Sequence, residues 1–281
     1  MQKSMKCYLN GTILPREEAQ LHLNDLALLR GFGIFDYFVF QRYQPRFLED
    51  YLNRFFRSIE FLGLQSPLNR DELRQTIHQL IAANEVPDGG IRLQLTGGYT
   101  TDGFTPTIGN LFILQSPFPS MPKHILEGGG RVALYEHQRE LPNVKSVNYL
   151  TGVYLLPWLK EQNAHYPLYH DGTYLRESDR SNFFLIDEAG TVVTPKEKVL
   201  HGVTRLKILE LAKGLGMRTE EREITLDELN SAKEIFFTSS IKGALPIVAV
   251  DGKPVGNGRL GEQTSKLQEA FLSLVSTEQV H

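Results

Sequence analysis

The stretch Leu141-Pro-Asn-Val-Lys145-Ser-Val-Asn-Tyr-Leu150 lies near the middle of a chain of 281 residues and holds one lysine among apolar neighbours. Pro142 and Asn143 read as a turn, and Val144, Val147 and Tyr149 as a short extended run. A lysine amine is a nucleophile only when unprotonated, so burial that lowers its pKa makes it a Schiff-base former. A solvated surface lysine fits the same residues. The rest of the chain decides between the two.

Upstream, the pattern mixes strands and helices. Asn10-Gly11 sits between short apolar runs and predicts a hairpin over 7–14. Arg30-Gly-Phe-Gly33 opens as a loop and runs into the β-prone segment to Phe40. Leu48, Leu52, Phe55, Ile59 and Leu62 fall at helical spacing, with Gly63 as the stop and with Arg54 and Arg57 off the apolar stripe. Asn69 followed by Glu72 is a capping pattern for a second helix that turns Leu73, Ile77, Leu80 and Ile81 inward. The segment 90–96 alternates as a strand with Arg92 and Gln94 on one face, and 110–115 is its return. Pro117, Pro119 and Pro122 mark a linker. The expected domains are therefore an N-terminal one over 1–117, a linker over 118–130 and a C-terminal one over 131–281.

Downstream, a strand is expected over 131–135 and a helix over 150–160, interrupted at Pro157. Asp171-Gly172 joins 166–170 and 173–176 as a hairpin. Glu177-Ser-Asp-Arg180-Ser-Asn182 precedes a strand over 183–186. An extended run over 192–199 leads to Leu200-His-Gly202-Val-Thr204-Arg205, which opens a helix over 206–214 with Leu206, Ile208, Leu209 and Leu211 as its apolar positions. Thr225 and Glu228 form another capping pattern. A strand over 234–240 ends in hydroxyls, and a C-terminal helix carries Leu267, Phe271 and Leu274. Without strict βαβ alternation the fold class is α+β.

Composition narrows the function. The chain is 41% hydrophobic and 22% charged, with a net charge of -3, so it has no basic surplus for nucleic acid. Nothing approaches a membrane span, and the N-terminus lacks an apolar h-region, which points to the cytoplasm. Cys7 is the only cysteine, and the eight histidines never fall in HExxH or His-x-His spacing, so no metal is expected.

Taken together, these motifs resemble the class IV pyridoxal-phosphate aminotransferases, the group that contains D-amino acid transaminases, branched-chain aminotransferases and aminodeoxychorismate lyase. The resemblance spans nearly the whole chain. It implies a two-domain fold-type IV enzyme with a small N-terminal α/β domain and a larger mixed, β-barrel-like C-terminal domain with helices. It implies pyridoxal 5'-phosphate as cofactor, an amino acid and a 2-oxo acid as substrates, and a homodimer. Lys145 resembles the Schiff-base lysine, which also carries the proton between the substrate α-carbon and the cofactor; Lys242, in Ser-Ile-Lys-Gly, is the competing amine. Glu177 resembles the acid that keeps the pyridine nitrogen protonated. Val203 and Thr204 behind Gly202 resemble a phosphate cup at a helix start, with Ser240 and the N–H of Ile241 as its second lip. Arg54 resembles the arginine that gives the phosphate full charge, with Arg57 as the near alternative, and Leu200 resembles the apolar residue on the ring face.

Substrate recognition departs from both main branches. The loop after Gly97 reads Gly-Gly-Tyr-Thr-Thr-Asp-Gly-Phe, without the Arg-x-His of D-amino acid transaminases. Arg92 is followed by Leu93, Phe35 stands where a tyrosine is useful in branched-chain enzymes, and the Gly-Met-Gly turn is absent. A carboxylate in a partly dry pocket needs a partner. Arg30, Arg92 and Arg180 are the expected replacements, and together they suit glutamate and 2-oxoglutarate, which favours a D-amino acid transaminase of an atypical kind. The alternatives are a branched-chain L-amino acid aminotransferase, a lyase that needs no amino acceptor, and a binding module that kept the fold.

Overall fold

The computed structural model describes residues 5–277. The first four residues, within the stretch read as lacking a leader, and the last four of the expected C-terminal domain lie outside the described residues. The chain forms two compact units. One runs to Pro119 and takes in Val144–Asn148; the other comprises Ser120–Asn143 and the chain from Tyr149 on.

The first unit is built on a six-stranded antiparallel sheet in the order β2-β1-β6-β5-β3-β4. Its strands are β1 (Lys6–Leu9), β2 (Thr12–Pro15), β3 (Gly33–Gln41), β4 (Gln44–Pro45), β5 (Gly89–Thr96) and β6 (Leu111–Pro117). The helices are α1 (Leu26–Arg30), α2 (Leu48–Leu62) and α3 (Arg70–Asn84). Asn10 and Gly11 take φ of 43° and 101°, the left-handed pair that a tight hairpin turn demands. Asn69 and Glu72 cap α3 reciprocally. Tyr51, Leu52 and Phe55 of α2 are buried with Phe38 and Phe40 of β3; each such burial stabilises by about 2 kcal/mol. Arg54, off the apolar stripe, is nonetheless buried, because Asp36 on β3 lies within its reach. The other face of the sheet carries Phe35 and Tyr37 opposite Gln94 and Arg92.

The stretch Val144–Asn148 belongs to this unit although the chain leaves it at Pro119. It is held as a bridge, and is not itself a strand. The Phe35 N–H donates to Lys145 O at 2.9 Å, the Val147 N–H donates to Gly33 O at 3.0 Å, and Ser146 pairs with Ile34.

The second unit opens with α4 (Lys123–Gly128), which folds within the segment read as linker. Its strands are β7 (Gly130–Glu136), β8 (Tyr166–His170), β9 (Asn182–Ile186), β10 (Val192–Thr194), β11 (Thr219–Glu221), β12 (Glu234–Ser239), β13 (Gly243–Val250) and β14 (Lys253–Pro254). They form a mixed eight-stranded sheet in the order β11-β10-β9-β12-β13-β7-β8, with β14 paired to β13. The helices are α5 (Leu150–Tyr154), α6 (Leu156–Glu161), α7 (Val203–Gly214), α8 (Glu228–Ser231) and α9 (Glu262–Thr277). Phe183, Leu185 and Phe237 fill the core on one face, while Phe184 and Phe236 stack at 4.7 Å on the other.

Four local expectations change. The helix over 150–160 is two short helices, because Pro157 cannot continue the first and instead sits in the opening turn of the second. The segment 173–176 forms no regular strand, yet the hairpin pairs: the Arg176 N–H donates to Tyr169 O at 2.8 Å, the Tyr169 N–H to Glu177 O at 2.9 Å and the Asp171 N–H to Tyr174 O at 3.1 Å, while the Leu175 N–H turns outward to Ile224 O. Strand β10 stops at Thr194, ahead of Pro195. Helix α7 begins at Val203, which turns Ile208, Leu209 and Ala212 inward and leaves Leu206 exposed.

Candidate active site

Lys145 and Arg92 meet on one ring. The Lys145 amine lies 4.7 Å from the centroid of Phe35, and the Arg92 guanidinium lies 4.4 Å from the same centroid. A cation over an aromatic face is attracted by the ring quadrupole, so Phe35 holds both side chains without neutralising either. Where a tyrosine is useful in branched-chain enzymes, the phenyl ring here has a positioning task. On the next residue, Asp36 accepts from Arg54 Nε at 3.0 Å and from Nη2 at 2.5 Å, a buried bidentate pair that fixes the guanidinium plane. Arg30, at the end of α1, is exposed, and its Nε donates to Gly103 O at 3.1 Å. That places it against the loop that follows Gly97.

In the second unit the centre is Glu177. The Ser178 N–H donates to Ser181 O at 2.8 Å, and this tight turn sets Glu177 opposite Asn182. Three donors converge on the carboxylate. Arg139 Nη1 donates to Oε1 at 2.9 Å; Asn182 Nδ2 and the Leu200 N–H donate to Oε2 at 3.2 and 3.0 Å. An acceptor fed by three donors, one of them charged, is stabilised as the anion. Asn182 also donates to Leu200 O at 2.6 Å, so it ties Glu177 and Leu200 together from both sides. Burial, joined by Asp179, raises the nearby Tyr169 phenol well above its ordinary pKa, so Tyr169 stays a neutral hydroxyl.

The start of α7 follows directly. Gly202 has an ordinary φ of -67°, so its value lies in space: a Cβ there would stand 2.1 Å from Asn182 Oδ1. Val203 and Thr204 are buried, and among the described residues their N–H groups meet no acceptor. Thr238, paired across the sheet with Asn182, has a buried hydroxyl that likewise meets no partner there. Buried orphan donors at the positive end of a helix form an anion site, and they fit the phosphate that the resemblance implies. Ser240 and Ile241 follow the end of β12, with Ile241 exposed.

Arg180 is exposed, and its Nε donates to Asp179 Oδ2 at 2.8 Å. Lys242, the competing amine, donates to Ser181 Oγ at 2.6 Å, and burial lowers its pKa to about 8. Dryness alone therefore marks Lys242, whereas backbone pairing to β3 and the shared Phe35 ring mark Lys145. Arg139, Asn182, Phe35 and Asp36 are positioning residues that sequence reading missed. Asn182 closes the quoted Glu177 motif and was within reach of inspection; no spacing signal marks Arg139.

A family profile described as "Amino-transferase class IV" matches residues 33–250. A D-alanine aminotransferase of Staphylococcus aureus (strain COL) is 27% identical over 280 residues, covering 98% of this chain and 99% of the relative. A putative branched-chain-amino-acid aminotransferase of Methanocaldococcus jannaschii is 30% identical, covering 95% of each. Among solved structures, a T.th. branched-chain amino acid aminotransferase with pyridoxamine 5'-phosphate superposes with a TM-score of 0.88 at 22% identity, covering 96% of this chain and 94% of that one.

Proposed function

The chain belongs to the class IV aminotransferases, and from that premise we propose that it moves an amino group between a D-amino acid and a 2-oxo acid, with pyridoxal 5'-phosphate as cofactor. When bound, this cofactor supplies the electron sink for negative charge at the substrate α-carbon. Everything else is the work of the chain. Lys145 holds the cofactor and moves the proton at its Nζ. Glu177, kept anionic by Arg139, Asn182 and the Leu200 N–H, holds a proton on the ring nitrogen. The N–H groups of Val203, Thr204 and Ile241, the Ser240 hydroxyl and the Arg54 cation take the phosphate, and Leu200 packs on the ring.

The observation that carries the substrate reading is the Phe35 ring shared by Arg92 and Lys145. A substrate held by its amino nitrogen next to Lys145 carries its carboxylate one carbon away, and Arg92 is the guanidinium that shares the Phe35 ring with that amine. Arg30 and Arg180 complete the set of carboxylate partners and favour glutamate and 2-oxoglutarate. The experiment replaces Arg30, Arg92 and Arg180 by alanine in turn and follows the half-reaction with D- and L-glutamate by absorbance. Loss of D-glutamate conversion is expected; unaffected conversion in all three variants contradicts the reading. A branched-chain L-amino acid reading draws support from the Methanocaldococcus jannaschii relative, and turnover of L-leucine in preference to D-alanine and D-glutamate would establish it.

The active form is a homodimer. Leu23, Leu28, Phe104 and Ile108 are 75%, 65%, 77% and 65% exposed. Leu28 and Phe104 lie on two segments that Arg30 and Gly103 join. So much bare apolar surface around α1 calls for a second copy. No helix among the described residues is long and apolar enough to cross a membrane, and the lone, buried thiol of Cys7 fits a cytoplasmic protein.

A further inference from the structure

The turn that carries Arg180 and the loop that follows β12 are joined by Lys242. Its Nζ donates to Ser181 Oγ at 2.6 Å and lies 3.8 Å from the centroid of the Tyr166 ring. Its backbone N–H donates to Ser239 Oγ at 3.3 Å. The amine is half-buried, and it meets a hydroxyl and an aromatic face where such a cation ordinarily finds a carboxylate. The nearby anion is Asp179, which is already occupied: it accepts from Arg180 Nε at 2.8 Å and from Ser178 Oγ at 3.0 Å. Two cations, Lys242 and Arg180, thus share one anion. The charged and titratable groups acting on the amine are Asp179 and Arg180 from the turn and the Tyr166 phenol from β8, which burial keeps neutral.

A partly dehydrated cation in excess of its counter-ions is stabilised by an anion from outside, and the substrates of this family carry carboxylates. We propose that Lys242 is a further specificity-determining residue, which with Arg180 binds a carboxylate of a dicarboxylic substrate. The proposal rests on the reading of Arg180 as a substrate-binding residue. It gives binding a pH dependence of definite sign. Burial is the first cause of the lowering of the Lys242 pKa to about 8, opposed by Asp179 and assisted by Arg180. The ammonium that attracts the carboxylate is present below that pH and lost above it. Its occupancy falls roughly 30-fold between pH 7 and pH 9.5, which sets the largest loss of affinity to be seen.

The test is calorimetric titration of glutarate, an unreactive dicarboxylate, into the holoenzyme at pH 7 and pH 9.5. Wild type is expected to lose affinity over that interval, by up to roughly 30-fold. Lys242→Arg, whose cation does not titrate there, holds its affinity at both values, and Lys242→Met binds weakly at both. Ser181→Ala keeps wild-type affinity and pH dependence, since the hydroxyl only steadies the amine. Glutarate binding to Lys242→Met as to wild type at pH 7 overturns the proposal. So does a loss in Ser181→Ala equal to that in Lys242→Met, which would make Lys242 a brace for the turn. The Lys242→Arg titration reads the proposal even if Lys242→Met fails to fold: a persistent loss as large as the wild type's in Lys242→Arg contradicts it. Unchanged affinity in Arg180→Ala contradicts the reading of Arg180 while leaving the loss in Lys242→Met intact.

Discussion

Replacing Arg139 by methionine removes a charged donor to Glu177 and keeps most of the aliphatic packing. The side chains of Arg139 and Glu177 are 16% and 6% exposed, and the guanidinium sits 2.9 Å from Oε1. Removing one partner of a fully buried ion pair costs about 3–5 kcal/mol, and an exposed pair contributes about 0–1. The pair lies towards the buried end, and Asn182 and the Leu200 N–H still serve the other carboxylate oxygen. Arg139→Met should therefore lose about 2 kcal/mol. Trp158 is the only tryptophan, and its ring lies 5.2 Å from that of Tyr135 in the unit that contains the pair, so its fluorescence reports that unit's unfolding. With a slope of about 3 kcal/mol per molar urea, the midpoint falls by roughly 0.7 M. Arg139→Lys should recover about half of this, because an ammonium replaces the charge but not the planar fork that also reaches Pro142 O at 3.2 Å. A midpoint in Arg139→Met within about 0.2 M of wild type would refute the reasoning.

Three further outcomes follow from the same geometry. Gly202→Ala drives a methyl into Asn182 Oδ1, 2.1 Å from the ideal Cβ position; pyridoxal phosphate should bind at least about tenfold more weakly by fluorescence titration, since phosphate cup and Glu177 share that amide. Asp25 is buried and accepts from the Ala27 N–H, Thr96 Oγ1 and Asn110 Nδ2 at 2.8, 2.7 and 2.7 Å; Asp25→Ala should cost about 3 kcal/mol, seen as a fall in melting temperature of roughly 9 °C. Hydrogen bonds from Arg74 and then Arg70 lower the Glu49 pKa to about 2, so its contribution to stability is present above about pH 4.5 and lost as pH falls towards 2. Because Glu49 is 55% exposed, the gap between wild type and Glu49→Gln should stay under about 1 kcal/mol at pH 7, narrow below pH 4.5 and shrink in high salt.

Local signals in the sequence carried most of the fold. Asn10-Gly11, the Asn69–Glu72 box and the spacing of Leu48, Leu52, Phe55 and Ile59 act over a few residues, and the elements form where they point. Partners from distant segments lie outside such signals: the arm at 173–176 pairs with 169–171 on one side and gives the Leu175 N–H to Ile224 on the other, and α7 starts at Val203, ahead of Leu206. The burial of Arg54 was hidden for the same reason, since Asp36 lies on a strand that no helical stripe marks. At the candidate site, Lys145, Glu177 and Gly202 stand in readable motifs. Their supports do not: Phe35 reaches Lys145, and Arg139 reaches Glu177, only once distant segments are folded together.

The most direct measurement is borohydride reduction of the purified protein with pyridoxal phosphate, followed by mass mapping of its peptides. A phosphopyridoxyl adduct on Lys145 is expected, absent from Lys145→Ala and retained in Lys242→Met. An adduct on Lys242, or none on Lys145 in the wild type, would contradict the assignment.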